Sequence, residues 1–134
     1  KFKIVEIGKE RIQTFAPYRK SNHNHIRGIH ACAIATVAEF SAGFLLHTNL
    51  DPQKYRLIMA KLDADYSYQA KNDIIAAAAL STEKLNSEIL TPLESQDSTT
   101  VIMQTEVHDV SGKEVATVQT TWQIKRWDKV RTAL

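Results

Sequence analysis

The pattern of apolar and polar positions separates one continuous apolar segment from several alternating ones. Residues 29–47 are apolar on nearly every helical face, rich in alanine and free of proline, which predicts a helix buried on most sides. Residues 58–68 alternate with a period of two, which predicts a long strand whose even-numbered side chains cover that helix. Residues 74–80 are apolar and short, and they favour a second strand although their four alanines would also tolerate a helix.

The last third of the chain predicts an antiparallel hairpin. Two strand-like segments, 99–110 and 114–126, are separated by a turn that contains Ser-Gly. Ahead of them, residues 82–91 have helix-like spacing and predict a short surface helix or ordered connector. Residues 2–7 suggest a short first strand, whereas 10–16 fit either an extended or a helical piece.

This order of elements indicates the α+β class. A doubly wound parallel sheet would require strands and helices to alternate, whereas this chain has one buried helix followed by long antiparallel strands. No repeat or low-complexity linker interrupts the sequence, so residues 1–134 are expected to form a single domain. The arrangement that fits best is a long helix wrapped by a curved antiparallel sheet.

Composition and charge exclude several classes of protein. Apolar residues make up 43% and charged residues 24% of the chain, and 17 basic against 15 acidic residues give a net charge of +2, too balanced for a nucleic-acid binder. The apolar stretches are judged shorter than the roughly 20 residues that cross a bilayer. A membrane span or membrane partner is therefore not expected. The single cysteine cannot form an internal disulfide and favours the cytoplasm. The sequence opens on Lys1 rather than Met and leaves the natural start open.

Glu39 lies in the middle of the most apolar predicted helix, where an ionised carboxylate loses hydration. Two interpretations remain open: a functional carboxylate, or one that points to a dimer interface or to water and pairs with a Lys or Arg. Small side chains on its helical face leave room for a ligand, whereas the bulkier face is expected to pack on the sheet. The small set is Cys32, Ala35, Thr36, Ala42 and Gly43, and the bulkier set is Ala33, Val37, Phe40 and Phe44.

The segment before the helix favours the functional interpretation. Asn24, Gly28 and His30 precede backbone N–H groups that are free at the start of a helix. Such donors can hold a carbonyl oxygen as it becomes an oxyanion, and an Asn side chain can fix water or the carboxylate. Together with Glu39 they predict acyl-transfer chemistry.

These residues resemble the motif of the hotdog thioesterases of the phenylacetic-acid-pathway and hydroxybenzoyl-CoA type. In that family an Asn or Gln precedes a Gly and a His, and the acidic residue lies nine positions after the His, as Glu39 does after His30. The resemblance extends over most of the chain and implies a hotdog fold. It implies that Glu39 is the nucleophile or general base, that the Ala31 N–H receives the oxyanion, and that Asn24 orients water or substrate. His30 of the motif completes the predicted catalytic set.

The resemblance also implies a partner and an assembly. The substrate would be an acyl-CoA or acyl-carrier thioester, no cofactor would be needed, and the site would be shared between subunits of a homodimer or dimer of dimers. Gly28, Cys32 and Gly43 are the predicted substrate-binding positions. Ala31-Cys32 replaces the family's Gly-Gly, which narrows the approach of a thioester and keeps a non-catalytic acyl- or CoA-ligand-binding protein as the alternative.

The sequence gives weaker support for other kinds of site than for acyl transfer. His23, His25 and His30 with Glu39 suggest a zinc or iron site, but the spacing is unspecific and no metal is expected, because His23 and His25 read as solvated loop residues and His30 as ordering the turn. Cys32 is expected to pack in the core rather than act as a thiol nucleophile. Charge at strand ends and tails is expected to be solvated, although it could meet CoA phosphates; these residues are Arg27, Lys61, Lys71, Lys125, Arg126, Lys129 and Arg131. Tyr66 and Tyr68 could line an acyl pocket, but as alternate strand residues they are expected to cover the helix.

Overall fold

The computed structural model describes residues 2–131, in which an antiparallel sheet surrounds one long helix. The strand order is β1-β2-β4-β5-β6-β3, so β1 and β3 are the two edges. This is the α+β hotdog arrangement predicted from the sequence. The elements are β1 (Lys3–Ile7), β2 (Arg11–Ala16), α1 (Ala31–Asn49), β3 (Tyr55–Tyr66), β4 (Ile74–Ala79), α2 (Thr82–Lys84), a π-helical turn (Leu85–Leu90), α3 (Thr91–Ser95), β5 (Ser98–Asp109) and β6 (Glu114–Arg126), with 3₁₀ turns at Lys20–Asn22 and Trp127–Lys129.

Helix α1 packs on the sheet through one face of branched and small side chains. The alanine run of β4 lets the helix approach closely, because Ala76 and Ala78 face it and are fully buried. Of the face predicted to pack on the sheet, Val37 is fully buried and Phe44 packs against the core, but Phe40 was misplaced: it is 37% exposed, and its tilted ring lies beside Phe44 at a centroid distance of 5.7 Å. The buried side of α1 is Ile34, Val37, Ala38, Ser41, Ala42, Gly43, Leu45 and Leu46.

A bulge in β3 decides which of its side chains face the helix. The register with β6 shifts between Met59 and Lys61, and an extra residue reverses the alternation of the strand. Leu57 therefore lies on the helix side before the bulge, and Leu62 lies on that side after it. The predicted even-numbered face was right beyond the bulge but wrong before it, where Ile58 is 45% exposed.

The segment after β4 is a longer helix than predicted, since it continues to Ser95. Its π-helical turn is followed by Pro92, which has no N–H to donate to the Glu88 carbonyl. Thr99 Oγ1 donates to that carbonyl at 3.0 Å and replaces the missing bond. The segment also contributes three buried side chains to the core, Leu85, Ile89 and Leu93.

The length of α1 corrects one expectation from the sequence. With 19 residues and a mean hydropathy of 1.3 in its most apolar window, α1 is long and apolar enough to cross a membrane by length and composition alone. The buried core helix of a globular domain passes the same test, and α1 packs against the sheet. We therefore treat α1 as the core helix of the fold.

Candidate active site

The amino end of α1 is capped by His30. Its backbone is extended, with φ −62° and ψ 138°, and its Nδ1 accepts the Cys32 N–H at 3.0 Å. Its carbonyl oxygen accepts the N–H groups of Ala33 and Ile34 at 2.9 and 3.1 Å. Three of the four amides that begin the helix are therefore satisfied locally.

The remaining amide is that of Ala31. Within residues 2–131 its N–H has no hydrogen-bond acceptor, and the residue is exposed. The Tyr66 hydroxyl donates to the carbonyl of the same residue at 3.0 Å, which ties the end of β3 to the start of the helix. Burial, with a smaller electrostatic contribution from Cys32, raises the pKa of Tyr66. The phenol therefore stays protonated, and able to donate, through neutral pH.

Asn24 closes the loop that leads into the helix. Its Oδ1 accepts the N–H groups of Ile26 and Gly28 at 3.1 and 3.0 Å, and its own N–H donates to the Gly28 carbonyl at 2.9 Å. The left-handed residue of the loop is Arg27, at φ 60°. Gly28 is small for a packing reason, because an added Cβ would lie 2.6 Å from Cγ of Gln69.

Asn24 and Ala31 line one cleft of about 370 Å³, which we call the amino-end cleft. Tyr66 and Tyr68 also line this cleft and are 46% and 42% exposed. Tyr66 contacts α1 through its hydroxyl, as expected, whereas the expectation that Tyr68 is a strand residue covering the helix was wrong. The remaining lining residues are Ile26, Ile29, Ile34, Ser67 and Gln69.

Glu39 is half-buried and lies where two further clefts meet, which together we call the Glu39 groove. Within residues 2–131 its carboxylate has neither a hydrogen bond nor an ion pair, so pairing with a Lys or Arg of the same chain does not occur there. Cys32 is exposed and lines the groove, so its predicted place in the core was wrong. The first cleft, about 310 Å³, also has Ala35, Thr36, Met59 and Leu62; the second, about 180 Å³, has Phe40, Gly43, Phe44, His47 and Trp122.

Gly43 is explained by the indole beneath it. A Cβ at this position would lie 2.8 Å from Cη2 of Trp122, which is 5% exposed and donates its Nε1–H to Thr120 Oγ1 at 2.8 Å. Ala42, predicted on the Glu39 face, is fully buried instead. The sequence did not predict Met59 in the groove, because its side chain faces α1 only as a result of the β3 bulge and no residue type in the sequence marks a bulge.

The predicted site residues therefore form two groups within one chain. Asn24 and Ala31 share the amino-end cleft, whereas Glu39 lines the groove with Cys32 and Gly43. Glu39 lies eight positions after Ala31 in the helix, a rise of about 12 Å. The Ala31 N–H and the Glu39 carboxylate of one chain therefore lie in separate clefts.

The histidines ahead of α1 do not gather around a common point. His23 is half-buried and its ring stacks on Tyr18 at a centroid distance of 4.2 Å, which corrects the expectation that it is solvated. His25 is exposed, as expected. Among residues 2–131 no three His, Cys, Asp or Glu side chains are grouped so that they could hold a metal ion.

Solved structures with the same fold include several thioesterases. A Pseudomonas aeruginosa protein of unknown function and probable thioesterase, PA5026, is similar at 22% identity and a TM-score of 0.86, over 93% of this chain and 83% of that one. A mutant of the Pseudomonas aeruginosa thioesterase PA1618 is similar at 14% identity and a TM-score of 0.76, covering 93% and 81%. The thioesterase HI1161 of Haemophilus influenzae is similar at 12% identity and a TM-score of 0.73, covering 93% and 78%.

No curated protein matches the sequence. The family model for a domain of unknown function, DUF4442, matches residues 1–124, which is most of the chain. The chain has the hotdog fold of these structures and belongs to the DUF4442 family.

Proposed function

We propose that this protein is a thioesterase that hydrolyses an acyl-CoA or acyl-carrier thioester at a site shared by two copies of the chain. The observation that carries the proposal is the pair of unsatisfied groups on α1, the Ala31 N–H and the Glu39 carboxylate. An oxyanion donor and a carboxylate base are the groups that acyl transfer to water requires. The likeness to solved thioesterases supports the same reaction class.

The separation of these groups favours a site that is completed by a second copy. Reacting atoms must lie about 3–3.5 Å apart, whereas Ala31 and Glu39 of one chain are separated by about 12 Å of helix. If the copies are related by a two-fold axis, Glu39 of one copy can meet Ala31 of the other, and two equivalent sites result.

The edge strand β3 is the surface we propose for this contact. Within residues 2–131 it pairs only with β6, and its other side is unpaired over a strand of 12 residues. Such an edge is a template for another strand. Antiparallel addition of a second β3 would turn the amino end of one α1 toward the middle of the other, because Tyr66 contacts Ala31 while Met59 and Leu62 line the Glu39 groove.

In the proposed reaction, Glu39 removes a proton from water, and the water oxygen attacks the thioester carbonyl. The carbonyl oxygen becomes an oxyanion that the Ala31 N–H of the other copy stabilises, with Asn24 close by to orient water or substrate. The intermediate then expels the thiolate, which takes the proton back from Glu39. Direct attack by the Glu39 carboxylate, followed by hydrolysis of the anhydride, uses the same groups.

Substitution of Glu39 by Gln tests the reaction. Thiol release from short, long and aromatic acyl-CoAs should fall about 10²- to 10⁴-fold, because the base is lost while size and shape are kept. Glu94→Gln, at an exposed acid on α3, is the matched control and should keep native turnover. Native protein that binds acyl-CoA but hydrolyses none of the series would instead support the non-catalytic ligand-binding alternative.

Mixing of subunits tests whether the site is shared. Ala31→Pro removes the proposed N–H donor at the first helical position, where proline is tolerated. Each variant alone should be inactive, but a mixture of Ala31→Pro and Glu39→Gln should recover roughly a quarter of native activity, since half of the dimers are mixed and each has one intact site. No recovery, with exchange of subunits verified by mass spectrometry, would refute a shared site.

A further inference from the structure

Positive charge is concentrated at one corner of the molecule, where β3 begins and β6 ends. Residues 52–56 and 123–131 contain six basic side chains and one acidic one, although the chain as a whole carries only +2. The rest of the chain is therefore net negative, at −3. We call this region the basic corner, and its basic residues are Lys54, Arg56, Lys125, Arg126, Lys129 and Arg131.

These charges are poorly neutralised by the protein itself. Arg56 and Lys125 are directly opposite each other in the β3–β6 register, a placement that destabilises a sheet. Arg56 bonds only the Gln123 side chain, at 3.3 Å, and its Nε is buried without a partner in the described part of the chain. Arg126 Nε lies 3.4 Å from the Asp128 carboxylate. Because that carboxylate is 69% exposed and hydrated, the ion pair neutralises Arg126 only weakly. Arg56 and Lys125 lie on the face of the sheet opposite Tyr55 and Arg126, so the basic side chains that line the cleft at this corner are those of Lys54 and Arg126.

The basic corner also has a cleft with flat aromatic walls. The cleft is about 320 Å³ and is lined by Lys54, Tyr55, Arg126 and Trp127, with Gln53 and Asp128. Trp127 is half-buried and held in place, because its Nε1–H donates to the Pro52 carbonyl and its N–H to the Lys54 carbonyl, both at 2.9 Å. A fixed indole beside a guanidinium and an ammonium suits a base that stacks and phosphates that carry charge.

We propose that this cleft binds a purine nucleotide with at least two phosphate groups. The inference rests on the proposed function, because the nucleotide would be part of the CoA carrier of the thioester substrate. Nucleotide binding would identify that carrier as CoA rather than a carrier protein. Tyr55 lies four residues before Met59, about 13 Å along β3, and Met59 lines the Glu39 groove. An extended pantetheine arm can run along the strand from the basic corner to Glu39.

An acidic carrier protein is the competing occupant of this surface. It would use the basic side chains, but it has no base that would stack on the Trp127 indole. The two occupants therefore differ in their dependence on Trp127, which is the basis of the test.

Calorimetric titration of the full chain with adenosine 3′,5′-bisphosphate tests the site without any turnover. Native protein should bind it, and Trp127→Ala should bind about 5- to 100-fold more weakly because the stacking face is lost. Trp127→Phe, which keeps an aromatic face, should retain most of the affinity. Arg126→Gln should weaken binding at least about 5-fold, whereas Lys71→Gln, an exposed lysine outside the basic corner, should not.

The outcomes separate this inference from the proposed reaction. Binding of the bisphosphate by native protein and by Glu39→Gln, with no thioesterase activity in either, would support the nucleotide site and refute the hydrolase. Equal turnover of acyl-CoA and acyl-pantetheine, unchanged in Trp127→Ala and Arg126→Gln, would overturn the nucleotide site and leave the hydrolase standing. Absence of bisphosphate binding, with carrier-protein binding lost in Arg126→Gln but kept in Trp127→Ala, would also overturn it.

Discussion

Replacement of Gly43 by Ala tests whether the glycine is there for the Trp122 indole or for a ligand. Two effects oppose each other. Alanine favours a helix interior over glycine by about 0.8–1.0 kcal/mol. Against this, the new Cβ would lie 2.8 Å from Cη2 of Trp122, well inside the carbon–carbon optimum of roughly 3.5–4.0 Å.

The steric effect should win. Overpacking of a filled core costs about 1–3 kcal/mol, and the Trp122 ring cannot move freely because its Nε1–H is bonded to Thr120. We therefore expect Gly43→Ala to lower the free energy of unfolding by about 1 kcal/mol. In a Trp122→Phe background the outer ring atoms are gone, and the same substitution should become stabilising by up to about 1 kcal/mol.

Urea unfolding at fixed protein concentration, followed by circular dichroism, measures all four members of this double-mutant cycle. The coupling energy between positions 43 and 122 should be about 1–2 kcal/mol. If Gly43→Ala is equally stabilising with Trp and with Phe at position 122, the packing explanation is refuted. Gly43 would then be free to be a substrate-binding position only.

Two further predictions concern stability at the ends of elements. His30→Ala removes the acceptor for the Cys32 N–H and should lower the free energy of unfolding in urea by about 1 kcal/mol, while His30→Asn should restore most of it; equal loss in both would mean that capping is not the role of His30. A hydrogen bond from the Ser111 hydroxyl, followed by bonds from backbone N–H groups, lowers the pKa of Asp109 below its usual 3.8. The ionised Asp109 carboxylate therefore stabilises the fold fully above pH 3.8, and this stabilisation is lost as the pH falls through the lower pKa of the folded state. Urea unfolding midpoints measured at decreasing acidic pH should therefore fall less steeply in Asp109→Asn than in the native protein.

Much of the fold could be predicted because periodicity reports burial directly. From Ala116 onward β6 alternates regularly, and it has the predicted buried face with Val118, Trp122 and Ile124. The long helix was recognised from its composition alone. Its orientation was not, because a helix that is apolar on every side gives no unique face, and Phe40 was placed on the sheet when it lines the Glu39 groove.

The bulge in β3 shows why the surroundings of Glu39 could not be predicted. Period-two alternation through residues 58–68 assigns Ile58 and Leu62 to one face, but one extra residue between them places them on opposite faces. Met59 then turns toward α1 and becomes a wall of the groove. Bulges arise from backbone geometry rather than from a residue type, so no composition signal marks this one.

The same comparison explains why the acid could be singled out from the sequence although its partner groups could not. A single carboxylate in an otherwise apolar helix is visible in the sequence because such a residue loses hydration there. Within residues 2–131 the structure also leaves Glu39 without a hydrogen bond or an ion pair. The free N–H of Ala31 depends instead on which neighbouring amides are already satisfied, and His30 satisfies three of them. Since the two groups are separated by a helical rise of about 12 Å in one chain, the proposed reaction requires a second copy to complete the site. The subunit-mixing experiment therefore bears more directly on function than any single substitution.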